Sequence, residues 1–268
     1  MAAGAPARPP RRKRFGQHFL HDPRIIQRIL AAIAPTPADH LVEIGPGGGA
    51  LTRALLGSRM ASFDALEIDR DLIGALRPLF AQQPRARLHE ADALEFDFSA
   101  LAASYGAPLR LIGNLPYNIS TPLLFHLLGH AAALADLHVM LQREVVARIC
   151  AAPGTEHYGR LGVMLAPYFG AAWLFDVGPG AFQPPPRVWS AVLRLTVRAP
   201  PLFAVSPHYA AVVAAAFAQR RKTLRNALRA LLPEAQIRAA GIDPGVRPET
   251  LAPAEFNALA ARLDRAGG

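Results

Sequence analysis

The residues best suited to chemistry in this chain stand in a few short strings. Asn114-Leu115-Pro116-Tyr117 follows the apolar stretch Leu109-Arg110-Leu111-Ile112-Gly113. It offers a primary amide, a proline carbonyl and an aromatic ring at the end of an expected strand. An exocyclic amine on a flat ring can donate to the Asn114 side-chain oxygen and to a carbonyl such as that of Pro116. Tyr117 can then stack on the face of that ring. Taken alone, the string reads better as a turn, because Asn and Pro are common turn residues. A glycine-rich loop upstream, Glu43-Ile44-Gly45-Pro46-Gly47-Gly48-Gly49-Ala50, reverses the odds. Its glycines allow a tight turn and close backbone approach to a ligand, with a helix N-terminus just beyond. Gly45, Gly47 and Ala50 fit the dinucleotide pattern G-x-G-x-x-A, and Glu67 stands where an acid holds ribose hydroxyls.

An NAD site and an S-adenosylmethionine site both fit that loop. Two features favour the methyl donor. Glu43, just before the glycines, suits a ligand carrying an ammonium and a sulfonium better than a pyrophosphate. Asp92, in Ala91-Asp92-Ala93, can accept from an adenine amino group at the rim of the same pocket. The bland alternatives are a helix N-cap for Asp92 and a charge paired within the fold for Glu43.

These strings need elements to position them. The pattern predicts a helix over Pro23–Ala34, with Asp22 as N-cap and Pro23 at its first position. Strands are expected at His40–Ile44, Ser62–Ile68, from Arg87 to Asp92, Leu109–Gly113 and Leu137–Leu141. Helices are expected at Ala50–Leu56, Asp71–Phe80, Pro122–Leu128 and from Glu144. Trp173–Val177 and Val188–Val197 read as two late strands forming an antiparallel edge pair. Such alternation predicts an α/β, doubly wound parallel sheet with helices on both faces. Past a linker at Ala199-Pro200-Pro201 every segment reads as helix: Pro207–Ala218, Arg220–Leu232, Glu234–Ala240 and Pro253–Leu263. The expected organisation is a flexible basic arm (1–14), a cofactor domain (15–199) and a small C-terminal helical domain (200–268).

Composition sets the partners. Lys plus Arg is 29 against 20 Asp plus Glu, a net charge of +9, which points to a polyanion. In the segment Arg220–Leu232, Leu224, Leu228 and Leu231 share one helical face with Phe217, while Arg221, Lys222, Arg225 and Arg229 share the next. With no acid between Arg220 and Arg229, that basic face is read as a phosphate-binding surface for RNA. The lone cysteine, Cys150, forms no intrachain disulfide and reads as a small core hydrophobe. Cys/His metal spacing is absent. The longest stretch free of Asp, Glu, Lys and Arg, Leu111–Ala135, carries Asn114, Pro116, Asn118, Pro122 and two histidines, so it is no membrane span. The N-terminus lacks the apolar run of a signal peptide, and its prolines disfavour an amphipathic targeting helix.

At this point the sequence resembles the ribosomal RNA adenine dimethyltransferases of the KsgA (RsmA) type, from about Lys13 to Leu263. The carrying strings include Arg14-Phe15-Gly16-Gln17-His18-Phe19-Leu20, Val42 to Gly47, Leu66-Glu67-Ile68-Asp69-Arg70 and Gly113 to Pro122. Later ones are Leu141-Gln142-Arg143-Glu144-Val145, Tyr158-Gly159-Arg160-Leu161, Phe182-Gln183-Pro184-Pro185-Pro186 and Gln219-Arg220-Arg221-Lys222-Thr223. The glycine loop is generic to methyltransferases; the string from Asn114 to Pro122 and the Gln-Arg-Arg-Lys-Thr string are far more specific.

The resemblance implies a Rossmann-like methyltransferase sheet. It implies that His18, Leu20, Gly45, Gly47, Glu67, Asp92 and Asn114 hold S-adenosyl-L-methionine. Asn114, Pro116 and Tyr117 would hold the target adenine, with Phe182 stacked on its other face. The implied reaction gives N6,N6-dimethyladenosine at two adjacent adenosines in a 3′-terminal hairpin loop of small-subunit rRNA. The implied setting is a monomer acting on the immature small ribosomal subunit in the cytoplasm, with no metal and no membrane. Two positions depart from the family pattern: His18 replaces Asn, and Trp189 stands where an acid is common and is expected to pack in a strand. Rival expectations are a large-subunit rRNA adenine dimethylase, a DNA adenine methylase, a non-catalytic RNA-binding assembly factor and an NAD-dependent oxidoreductase. The last leaves Asn114–Tyr117 unexplained.

Overall fold

The computed structural model describes residues 18–219 and 221–264. The expected basic arm, the Arg14–Gln17 part of the first family string and Arg220 lie outside the described residues. Among the described residues, nine strands alternate with helices: β1 (Phe19–Leu20), α1 (Pro23–Ile33), β2 (His40–Ile44), α2 (Ala50–Leu56), β3 (Ser62–Glu67), α3 (Arg70–Ala81) and β4 (Ala86–Glu90). There follow α4 (Phe98–Tyr105), β5 (Leu109–Asn114), α5 (Ser120–Leu128), β6 (Leu134–Gln142), α6 (Arg143–Cys150), α7 (Arg160–Leu165), β7 (Phe169–Val177), β8 (Phe182–Gln183) and β9 (Ser190–Val197). The last segment holds α8 (Tyr209–Ala216), α9 (Leu224–Ala227), α10 (Glu234–Ala239) and α11 (Pro253–Asp264).

The main sheet has the order β4-β3-β2-β5-β6-β9-β7. Pairing is parallel from β4 through to β6, and β9 runs antiparallel to β6. The expected late antiparallel strand is therefore present, inserted beside β6. The direction of chain progression reverses between β2 and β5, and in such sheets the crevice beyond the carboxyl ends of those strands is where ligands bind. Central strands are buried on both faces, which is why β2 reads Leu41-Val42 and Ile44 with little alternation.

The opposite end of the sheet is clamped by charge. The Arg110 guanidinium donates through Nε to both carboxylate oxygens of Asp136 at 3.1 Å, through Nη1 to Asp39 at 2.7 Å, and through Nη2 to the Ile33 carbonyl at 2.7 Å. One side chain thus joins the end of α1, the approach to β2, and strands β5 and β6. Helix α1 starts as its sequence dictates: Asp22 accepts from the backbone N–H of Arg24 and Ile25, and Ile29 and Ile33 are buried.

The chain forms two compact units, 18–143 with Trp173–Thr196, and Glu144–Ala172 with 197–264. This differs from the expected division at 199/200, because residues 144–172 group with the C-terminal segment. Within that second unit the Tyr209 hydroxyl donates to the Val163 carbonyl (2.9 Å), and the Tyr158 hydroxyl donates to the Leu251 carbonyl (2.7 Å). These bonds link parts of the chain far apart in sequence, which a reading along the chain does not reveal.

The helix expected over Arg220–Leu232 is reduced to α9. Leu224 N–H donates to the Val246 carbonyl and Arg225 N–H to the Pro244 carbonyl. Those amides are therefore spent on another segment and do not continue a helix from residue 220. Leu224 and Leu228 are buried as expected, while Arg225 has an acid nearby in space, Glu234 at 3.4 Å. Cys150 closes α6 half-buried. Trp189 is not packed in a strand: it precedes β9 and is exposed.

Candidate active site

A cavity of about 330 Å³ opens at the carboxyl ends of β2, β3 and β5. His18, Leu20, Gly45, Gly47, Glu67, Asp92, Asn114, Pro116 and Tyr117 all line it. The glycine loop forms one wall. Gly45 N–H donates to the Leu66 carbonyl (2.9 Å), and Gly47 has φ of +57°. A side chain on Gly47 would also start 3.1 Å from the Phe19 ring, so both conformation and space call for glycine. Gly113 meets a harder limit, since a Cβ there would lie 2.6 Å from the Ile44 carbonyl oxygen. Close approach of β5 to β2 brings Asn114 beside the loop.

The lining is acidic. Glu67 is buried, its Oε1 accepting from the N–H groups of Ile68 and Asp69 (3.0 Å each) and its Oε2 from Gly47 (3.2 Å). Burial raises its pKa, against the lowering effect of those backbone donors. Glu43, 2 % exposed, accepts from the Thr52 hydroxyl at 2.7 Å. Burial pushes Glu43 up to about 7; the Thr52 bond works against this and the charge of Glu67 adds to it. Asp92 Oδ1 accepts from Leu94 N–H (2.8 Å) and so caps a turn, whereas α4 is capped by Asp97. Among the described residues, the cavity wall carries three carboxylates and no lysine or arginine. Its electrostatics call for a cationic ligand, which fits an ammonium and sulfonium donor better than a dinucleotide.

At the other wall, Asn114 Nδ2 donates to the His18 carbonyl at 2.9 Å. That bond sets the amide so that Oδ1 is the acceptor left for a ligand. The Pro116 carbonyl accepts from Ile119 N–H at 3.1 Å and retains a second lone pair. The Tyr117 hydroxyl shares a hydrogen bond with Ser190 Oγ at 2.8 Å, and burial raises its pKa, so the ring is a neutral phenol.

A profile described as Ribosomal RNA adenine dimethylase matches residues 10–265. The chain belongs to this family. A relative from Methylococcus capsulatus, named Ribosomal RNA small subunit methyltransferase A, is 56% identical over 254 residues, covering 94% of this chain and 98% of the relative. The crystal structure of the 23S rRNA methyltransferase ErmE is similar with a TM-score of 0.69 and 28% identity, over 92% of this chain and 99% of that one. A dimethyladenosine transferase from Plasmodium falciparum shares the fold, with a TM-score of 0.76 and 23% identity over 93% and 98% of the two chains.

In this dimethylase the substitution at position 18 is accommodated. His18 reaches Asn114 through its backbone, while its ring Nδ1 donates to the Pro184 carbonyl (2.8 Å) and its ring centre lies 5.7 Å from that of Tyr117. Phe182 is a correction. It is 2 % exposed, pairs with Leu20 in the β1–β8 ribbon and packs in the core, so the structure does not bring it into the cavity. The aromatic rings facing the cavity are those of Tyr117, Phe19 and His18. Sequence reasoning assigns no role to Phe19, Thr52 or Ser190. Thr52 has a signal, lying in the first turn of the helix that follows the glycine loop; Ser190 acts across a long sequence separation and has none.

Proposed function

We propose that this dimethylase transfers methyl groups from S-adenosylmethionine to the exocyclic N6 of two adjacent adenosines in the 3′-terminal hairpin loop of small-subunit rRNA. The observation that carries the reading is one cavity with an acidic, cation-seeking wall on one side and the Asn114–Tyr117 acceptor turn on the other. The residues fit the cofactor: Glu67 can accept from ribose hydroxyls, Asp92 from the adenine amine, and Glu43 faces a positive charge. When bound, the cofactor supplies a methyl group already activated by its sulfonium.

The chain's own residues prepare the acceptor. The adenine amine is a poor nucleophile because its lone pair is delocalised into the ring. Asn114 Oδ1 and the Pro116 carbonyl each accept one of its hydrogens and draw the nitrogen out of that conjugation. Tyr117, held by Ser190, stacks on the base and fixes it for in-line transfer. The proton of the methylated nitrogen leaves to solvent, so no general base is required. The target base must be unpaired or flipped out to enter.

The test is single-turnover methyl transfer from labelled cofactor to small subunits lacking the modification, followed by mass spectrometry of digested rRNA. Dimethyladenosine at two adjacent positions is expected. Methylated cytosine, or label only in large-subunit RNA, would overturn the reading.

A further inference from the structure

The segment between Phe182 and Ser190 is a loop fastened to the site at both ends. Its Pro184 carbonyl accepts from His18, and Ser190 bonds the Tyr117 hydroxyl. Between those anchors Arg187, Val188 and Trp189 are exposed, Trp189 by 52%. The other tryptophan, Trp173 on β7, is 37% exposed. Arg143 connects them: its backbone N–H donates to the Trp189 carbonyl (2.9 Å), and its guanidinium lies 5.8 Å from the Trp173 ring centre. Asp176 accepts from the Trp173 indole N–H at 2.9 Å and lies 3.3 Å from Arg143. The Trp189 ring lies over Gly178, where even a Cβ would come within 3.5 Å of it. These indoles are therefore seated, and yet they face water.

We propose that Trp189, with Trp173 and Arg187, forms a stacking platform for an unpaired nucleotide flanking the adenosine held at Tyr117. This rests on the RNA reading above. Two observations select RNA as the occupant. The platform is continuous with the acceptor turn through one residue, Ser190. It also pairs exposed indoles with arginines, and that combination of π-faces with phosphate-binding cations suits single-stranded nucleic acid. Stacking needs no particular base, so the platform supplies grip and register to the chain beside the target.

The chain has two tryptophans, and both are on this surface, so tryptophan fluorescence, excited where tyrosine does not absorb, reports on the platform alone. The full chain is titrated with an RNA hairpin carrying two adjacent loop adenosines, and binding is measured in parallel by filter retention. Saturable quenching is expected, reduced in Trp189→Phe and in Trp173→Phe. Trp189→Ala is expected to weaken hairpin binding roughly tenfold, with Trp189→Phe restoring most of it and cofactor affinity by calorimetry unchanged. Retained hairpin binding with unchanged fluorescence, or wild-type affinity in Trp189→Ala, overturns the platform and leaves the methyl-transfer reading standing. A fluorescence response to whole subunits with subunit affinity unchanged in Trp189→Ala also overturns it. If the wild-type chain retains neither hairpin nor subunits, the RNA reading itself falls.

Discussion

Asn114 uses the two ends of one amide differently, giving Nδ2 to the His18 carbonyl and leaving Oδ1 for the proposed acceptor role. Asn114→Ala is expected to lower single-turnover methyl transfer by roughly a hundredfold or more, the scale of losing a positioned polar group at a reacting centre. Subunit binding should persist. Wild-type transfer by that variant would remove the acceptor role. Glu43 makes a prediction about pH. Its folded-state pKa is raised from 4.5 to about 7, so in the cofactor-free protein it favours folding while protonated. The unfolded chain ionises first, so that contribution is full below about pH 4.5 and is lost as pH rises through 7. The melting temperature of the free protein should therefore fall across this window, less steeply in Glu43→Gln. A cationic ligand reverses the sign by favouring the ionised acid, so cofactor affinity should rise over the same range. Parallel melting curves for the two proteins would refute the assignment. Glu67→Ala should weaken cofactor binding by roughly 1.5–3 kcal/mol, and calorimetry of the folded variant checks it.

At the scale of elements, the site depends on how closely β5 lies against β2. Gly113→Ala puts a methyl 2.6 Å from a backbone carbonyl, which cannot swing aside as a side-chain tip can. It is expected to cost about 1–3 kcal/mol by overpacking and to weaken cofactor binding at the same time. Denaturant midpoints and calorimetry measure both, and a variant as stable as the parent would mean the strands part freely. Much of this layer is legible in the sequence. Asp22-Pro23 announces α1, and the bounds of β2 and α2 are as expected, because buried parallel strands and glycine-opened helices have strong local signatures. Helices α4 and α7 are absent from the expected elements; α4 does carry the N-cap Asp97 and a left-handed Gly106 at its end, whereas α7 is only six residues long. The β1–β8 ribbon is too short to show a period, and the burial of Phe182 away from the cavity follows from a pairing with Leu20, far away in sequence. The Arg221–Arg229 stretch has helical spacing but gives the Leu224 and Arg225 amides to Val246 and Pro244, a choice made by tertiary structure alone.

For the whole molecule, the net charge of +9 is expected to act through phosphates. Arg221, Lys222 and Arg225 remain a proposed gripping surface. Arg225 lies 3.4 Å from Glu234, so Arg221 and Lys222 should carry more of the effect. Replacing all three with Ala should flatten the plot of log affinity against log salt by roughly 0.7–0.9 for each phosphate no longer neutralised. Cofactor binding should remain, because the cavity lies wholly within the first unit. Subunit binding at several salt concentrations tests this, and an unchanged slope would make the face an ordinary solvated surface. The strand order has one more consequence, for the chain as it is made. Every residue lining the cavity has been synthesised by Ile119, yet β9, which stands between β6 and β7, comes last of the strands. Until it arrives β7 has no neighbour on that side and Tyr117 has no Ser190. A nascent chain halted short of β9 therefore holds every residue that lines the cavity but lacks the serine that fixes the Tyr117 ring.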